Sequence, residues 1–359
     1  MHRVSETSDG VLSMSSMLTN KSAKQVPTNK QENFMKLPIP WSLVAVAAPF
    51  VMMASTASLA DDYPSKPITL IVGATAGGTT DALAREVAEG LAQKYDVPTV
   101  VDNRPGAGAN IAAEAVANSA ADGYTLLVAY TSHTLNESLF HEMPYDPIED
   151  FTPISLLGEV SSILLSRPDL ELENLQALLD YAADQPDGIT FAVGGLGSSL
   201  HMETLKFMQE SEVVGYEIPY SGTSPAIADL IGSHVDVMFA PFAAAMPLVE
   251  SGDANAIAVT SPERMPNLDD IPSINETLND YPTTYGWFGL LGPADMDPAI
   301  VERLNADVTE IMHGESGADL LEREGAEPVD IKAEAFAEFI VEDVERWKSI
   351  AEAGGIEKQ

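Results

Sequence analysis

Short apolar runs alternate with amphipathic stretches along most of this chain. The runs 68-ITLIV-72, 99-TVV-101, 125-TLLVA-129, 162-SILLS-166, 189-ITFAV-193, 235-VDVMF-239 and 256-AIAVT-260 predict strands. Their length and β-branched content favour strand over buried helix. Between them, residues 80–94, 109–120, 171–184, 200–210 and 224–232 carry helical patterns. Residues 298–324 and 333–352 read as mostly helical. Such alternation predicts parallel α/β sheets. Ligands of open α/β sheets sit beyond the carboxyl ends of strands, so the loops there carry the candidate chemistry.

Three of these loops share one design. In 71-IVGATAGGTTDALAREVAEGL-91 an apolar run ends at Gly73, small residues follow, and Thr79-Thr80-Asp81 opens a helical pattern. A helix start offers unpaired N–H groups and a positive dipole end to an anion. The stretch Gly73–Thr80 approaches the phosphate-loop pattern G-x-x-x-x-G-K-[ST], but Thr79 stands at the lysine position, which argues against a nucleotide triphosphatase. Asp81 suits the first helical turn. After the run 189–193 come Gly194, Gly195, Gly197, Ser198 and Ser199, followed by a helical pattern. The segment 219-PYSGTSPAIADL-230 supplies Tyr220, Ser221 and Thr223 hydroxyls around Gly222. Each loop alone also reads as a structural turn or a capped helix. Three hydroxyl-bearing glycine loops together point to a ligand rich in oxygen acceptors. The segments 106-GAGANI-111 and 195-GLGSSL-200 lack the third glycine of a dinucleotide fingerprint.

Composition narrows the classes. The 359 residues include no cysteine, which excludes disulfides and thiolate chemistry. A formal charge of −37 opposes nucleic-acid binding and an anionic membrane surface. Met35-Lys36, the apolar segment 41-WSLVAVAAPFVMMAS-55 and small residues at Ser58 and Ala60 form a secretory signal, with cleavage expected after Ala60. That segment is shorter than the roughly 20 residues of a membrane span. Residues 1–34 are polar, and translation starts at Met1 or Met35. Removing residues 1–60 takes five basic residues from 18 and three acidic ones from 55. The remainder carries 13 basic and 52 acidic residues, or −39 net. Such an excess suits a salty medium that screens self-repulsion.

Catalytic templates mostly fail. H-E-x-x-H is broken after His141-Glu142, the histidines lack metal-ligand spacing, and no G-x-S-x-G elbow is present. No metal and no cofactor is expected. Ser198 with His201 can be drawn as nucleophile and base, but no third orienting group can be named.

The ordered set 63-YPSKPITLIV-72, 77-GGTTD-81 with Arg85, 102-DNRPGAGAN-110, 122-DGYTLL-127, 194-GGLGSSLH-201, 218-IPYSGTSPA-226, 235-VDVMF-239, 256-AIAVTSPER-264 and 287-WFGLLGPADMDP-298 resembles the substrate-binding receptors of tripartite tricarboxylate transporters, also called Bug receptors. The resemblance covers roughly residues 63–352. It implies a type II periplasmic-binding-protein fold with two α/β lobes and a ligand cleft between them. The first lobe would be 61–158 plus 285–359 and the second 159–284, after an extension and signal peptide over 1–60. It further implies a periplasmic, non-enzymatic, monomeric receptor that holds a small carboxylate and serves membrane permease subunits. A periplasmic sensor and an exported serine hydrolase are the alternatives. The ligand-contact residues implied are Ala76, Gly77, Gly78, Thr79, Asp81, Thr131, Ser132, Gly195, Gly197, Ser198, His201, Tyr220, Ser221, Gly222 and Thr223. The chain departs from the family at Gly73-Ala74-Thr75, where Pro-Phe-Pro is common, at Ser221 in place of lysine, and at Ala109 in place of glycine.

Overall fold

The computed structural model describes residues 63–265, 268–279, 281 and 286–358. The signal segment and Ala60 lie outside them. Two sheets form. The first holds β1 (Ile68–Val72), β2 (Thr99–Asn103), β3 (Thr125–Tyr130), β4 (Phe151–Val160), β10 (Gly286–Pro293) and β11 (Ala326–Glu327), in the order β11-β4-β10-β3-β1-β2. The second holds β5 (Ser162–Ser166), β6 (Ile189–Val193), β7 (Gly215–Pro219), β8 (Val237–Pro241) and β9 (Asn255–Val259), in the order β7-β6-β8-β5-β9.

The sheets are mixed, not parallel throughout. β1 runs parallel to β2 and β3, and β6 parallel to β7 and β8. β10 is antiparallel to β3 and β4, and β5 antiparallel to β8 and β9. The reason is connectivity. The chain leaves the first sheet at Val160 and enters the second at Ser162, so β4 and β5 are nearly continuous. It returns between β9 and β10. The two passages touch: Gly286 pairs with Val160, Thr260 N–H donates to Ser162 O at 3.0 Å, and Ser162 N–H donates to Thr260 Oγ1 at 2.9 Å.

Helices cover both faces of each sheet. On the first, α1 (Thr79–Tyr95), α8 (Pro298–Met312) and α9 (Glu315–Glu324) bury Leu83, Val87, Leu304 and Leu321 against Leu70, Leu126 and Leu290. The other face takes α2 (Asn110–Ala117) and α10 (Ala333–Ala353) through Val116, Phe336 and Ile340. On the second sheet, α6 (Thr223–Ile231) and α7 (Phe242–Ser251) pack one face, while α4 (Leu175–Ala183) and α5 (Ser199–Ser211) pack the other. A last apolar cluster spans both halves: Leu135 and Leu139 of α3 (Ser132–Leu139) and Trp347 and Ile350 of α10 meet Met202 of α5.

The predicted runs 68–72, 162–166 and 189–193 match β1, β5 and β6, while 235–239 appears two residues later as β8. Six elements had no such forecast, β4, β7, β10, β11, α3 and α7, and four of them show the physical reason. β10 reads GWFGLLGP and is buried along nearly its whole length, so it lacks period-2 alternation. Its Gly289 lets the Phe336 ring approach; a Cβ there would sit 2.4 Å from that ring. β4 contains Pro153, tolerated where its pairing with β10 shifts register. α7 carries Pro247 inside the helix. The buried positions of α3 include His133, Thr134, Asn136 and Ser138, which gives no apolar stripe.

Candidate functional site

A cavity of about 510 Å3 opens where the two sheets and the apolar bridge between them meet. Its walls come from chain segments far apart in sequence. The end of β3 and the start of α3 supply Tyr130, Thr131, Ser132 and Asn136. The passages between sheets supply Ser161, Ser162 and Trp287. The loop into α5 supplies Gly197, Ser198 and Ser199, and α10 supplies Trp347.

Two helix starts therefore face one space. Thr131, at the head of α3, makes no side-chain cap bond; its Oγ1 accepts the Trp287 N–H at 3.0 Å instead. The N–H groups of that first turn have no intrahelical acceptor. Ser132 Oγ is buried and has no hydrogen-bond partner among the described residues. At α5, Ser198 Oγ accepts the His201 N–H at 3.2 Å, leaving the N–H groups of Ser199 and Leu200 as helix-start donors. Gly197 has φ +75°, a conformation that L side chains rarely adopt, and a Cβ there would lie 3.2 Å from Leu139 across the cavity edge. Among the described residues the lining includes no lysine, arginine or histidine, and its one charged side chain is Glu203.

Asp343, on α10, organises the wall behind the cavity. It is fully buried. Its Oδ2 accepts from Thr134 Oγ1 at 2.6 Å, Trp287 Nε1 at 2.8 Å and Trp347 Nε1 at 2.9 Å. Arg346 Nη1 stands 3.2 Å from Oδ1. Burial pushes the Asp343 carboxyl upward, and these donors with Arg346 oppose that push. The two tryptophans, both of which line the cavity, are thereby fixed in place. Glu203, on α5, is also buried: Tyr281 donates to its Oε1 at 2.7 Å and Lys206 Nζ is 3.5 Å from the same oxygen.

Of the sequence-predicted residues, Thr131, Ser132, Gly197 and Ser198 line this cavity. The others do not, and several are engaged elsewhere. Asp81 accepts from Gly77 N–H at 2.9 Å and from Arg85 Nε and Nη2 at 2.9 and 3.0 Å. Its carboxyl is lowered to about 2, chiefly by the Arg85 hydrogen bonds. Thr79 Oγ1 donates to Glu324 on α9, and Ala76, Gly77 and Gly78 are exposed. Tyr220 donates to Asp229 at 2.7 Å; burial, then Asp229, raises its phenol to about 12. Ser221 is exposed and Gly222 is extended, with open space around its Cα. Gly194 packs its backbone against Thr223, so the second and third loops adjoin within the second sheet's half. Gly195, with φ +141°, forms the turn before Ser198.

His201 is oriented, not free. Its Nδ1 accepts the Gly197 N–H at 2.9 Å, and its Nε2 lies 2.7 Å from Glu217 Oε1. Neither ring nitrogen is left to take a proton from Ser198, so the hydrolase geometry is missing. Sequence reasoning also missed Asn136, Ser161, Ser162, Glu203, Trp287 and Trp347. Trp287 was visible as a bulky residue with a polar handle, but only the fold brings it to Asp343.

The model of the tripartite tricarboxylate transporter family receptor matches residues 83–356. The chain belongs to this receptor family. It is a family of solute-binding receptors, not enzymes. Protein BugT of Bordetella pertussis is 34% identical over 317 residues, covering 87% of this chain and 97% of BugT. Among solved structures, R. palustris Rpa4515 with adipate is 33% identical, with a TM-score of 0.71, over 83% of this chain and 100% of that one. The periplasmic binding protein BugD is 30% identical, with a TM-score of 0.67, over 83% and 100% of the two chains. These relatives share the two-lobed periplasmic-binding-protein fold with this receptor.

Asp343, behind the cavity, and Asp81, away from it, each hold a charged brace that mutation can remove. Asp343→Ala strips three donors and Arg346 of their acceptor, so it should cost about 3–5 kcal/mol of stability in urea unfolding and shift tryptophan emission. Asp81 holds its proton less tightly folded than unfolded. Its contribution to stability is therefore complete above about pH 4 and lost as pH falls towards 2. In Arg85→Met the stability curve should be flatter over that range, which thermal melts against pH will check.

Proposed function

We propose that this receptor works outside the cytoplasm, closing its lobes over a small carboxylate and delivering it to the permease subunits of a tripartite tricarboxylate-type membrane transporter. The lobes are 61–158 with 285–359, and 159–284. Residues 1–60 direct export and are removed after Ala60, and the mature receptor is a monomer. One observation carries the ligand assignment: the starts of α3 and α5 face a single cavity that holds hydroxyls and, among the described residues, no basic side chain. Membership of a carboxylate-receptor family supports it, as does adipate in the Rpa4515 structure.

The binding chemistry is that of oriented dipoles. A helix start contributes about 0.3–1 kcal/mol, up to about 2 when partly buried. Each hydrogen bond to a charged acceptor adds about 1.5–3 kcal/mol. Thr131, Ser132, Gly197 and Ser198 form the contact set we assign, with Ser132 Oγ the hydroxyl still lacking a partner. Lobe closure expels water and strengthens every such contact. After association costs, a dissociation constant near micromolar, about −8 kcal/mol, is the expected scale.

Calorimetry with a panel of small carboxylates tests this reading. Ser132→Ala should weaken the best acid about tenfold with an unchanged melting temperature; equal binding by the variant refutes the contact set. Export is checked separately. Edman sequencing and native mass spectrometry of the secreted protein should show a monomer beginning at Asp61, and an intact Met1 or Met35 terminus refutes it.

A further inference from the structure

We infer that the receptor selects acids with one carboxylate and an apolar body, and that Glu203 turns away those with a second carboxylate. This rests on the carboxylate reading above and narrows it. The first observation is the lining. Leu135, Leu139, Leu200, Trp287, Phe288 and Trp347 form much of the cavity wall. Its volume of about 510 Å3 lies in the range of drug-sized ligand sites, so an alkyl or aryl body fits inside.

The second observation is charge. No described lining residue is cationic. The helix starts and hydroxyls offer compensation for one anionic group. Glu203 is buried, lines the cavity, and meets both Tyr281 and Lys206 through one oxygen. Lys206 does not line the cavity and lies over the Tyr281 ring, 4.0 Å from its centroid. The acid of this pair, and not its base, is the member that lines the cavity. Glu203 sits one helical turn beyond Ser199, about 6 Å along the axis, and its side chain leans back towards the helix start. A second carboxylate inside the same cavity meets this acid first, its partner Lys206 lying outside the lining. Apolar atoms at that end gain instead: each methylene moved from water into the cavity strengthens binding about fourfold.

The test is calorimetry on the purified receptor with octanoate, octanedioate, octanamide and the straight-chain series from butanoate to octanoate. Octanoate should bind at least tenfold more tightly than octanedioate and at least tenfold more tightly than octanamide. Affinity should rise steadily along the series. In Glu203→Gln the gap between octanoate and octanedioate should shrink at least fivefold. Octanedioate binding as well as octanoate overturns the inference, as does a flat chain-length series. That series uses the unaltered protein, so a poorly folded Glu203→Gln does not rescue the claim. Equal binding of octanoate and octanamide instead sinks the carboxylate reading itself. Tight binding of short diacids alone spares that reading and defeats this one.

Discussion

One carboxylate oxygen, Asp343 Oδ2, receives hydrogen bonds from Thr134, Trp287 and Trp347. Those residues belong to α3, β10 and α10, three elements that converge behind the cavity. A buried acid is expensive unless its lone pairs are filled. Filling them here fixes two indole rings and the helix whose start faces the ligand space. The same helix supplies Leu135 and Leu139 to the apolar bridge with α5. The position of the cavity wall and the contact between lobes thus share one polar anchor.

The electrostatics of the molecule point the other way from its site. A chain with a formal charge of −37 repels an acid at long range. Salt shortens that reach to about 8–10 Å at ordinary ionic strength. Inside that distance the field is local, and in the binding mode proposed above peptide N–H groups at two helix starts dominate it. Holding an anion with dipoles has a structural cost that this chain meets with glycine: Gly195 and Gly197 adopt backbone angles closed to most residues so that Ser198 can head α5. His201 then steadies the turn through the Gly197 N–H while Glu217 orients its ring.

Much of the fold was legible because its parallel strands announce themselves. Runs such as 68-ITLIV-72 and 189-ITFAV-193 have one composition, one length and a glycine-rich loop after them. Two of the antiparallel strands, β4 and β10, were hidden. β10 has three glycines and no alternation, and β4 holds a proline. These strands carry the connections between sheets, so the mixed topology escaped with them. The site divided in a similar way. Ser198 and Gly197 sit in a loop whose chemistry is written locally. Glu203, Trp287, Trp347 and Ser162 matter only once separate segments converge, and no local pattern encodes convergence. Two of the glycine loops proved to spend their polar groups internally, Asp81 on Arg85 and Tyr220 on Asp229, a choice that composition alone does not reveal.

The two passages between the sheets run side by side, joined at Gly286 with Val160 and at Thr260 with Ser162. Neighbouring strands tied in this way resist sliding and leave a single easy motion, a swing about the line that crosses both. Gly197 and Leu139 face each other across the two halves, close enough that a Cβ on Gly197 would lie 3.2 Å from Leu139. Ligand bulk then translates into an angle between two rigid slabs, with little local distortion of either. On the proposed closure the molecule acts as a caliper whose jaws are the sheets and whose reading is the size of what it holds.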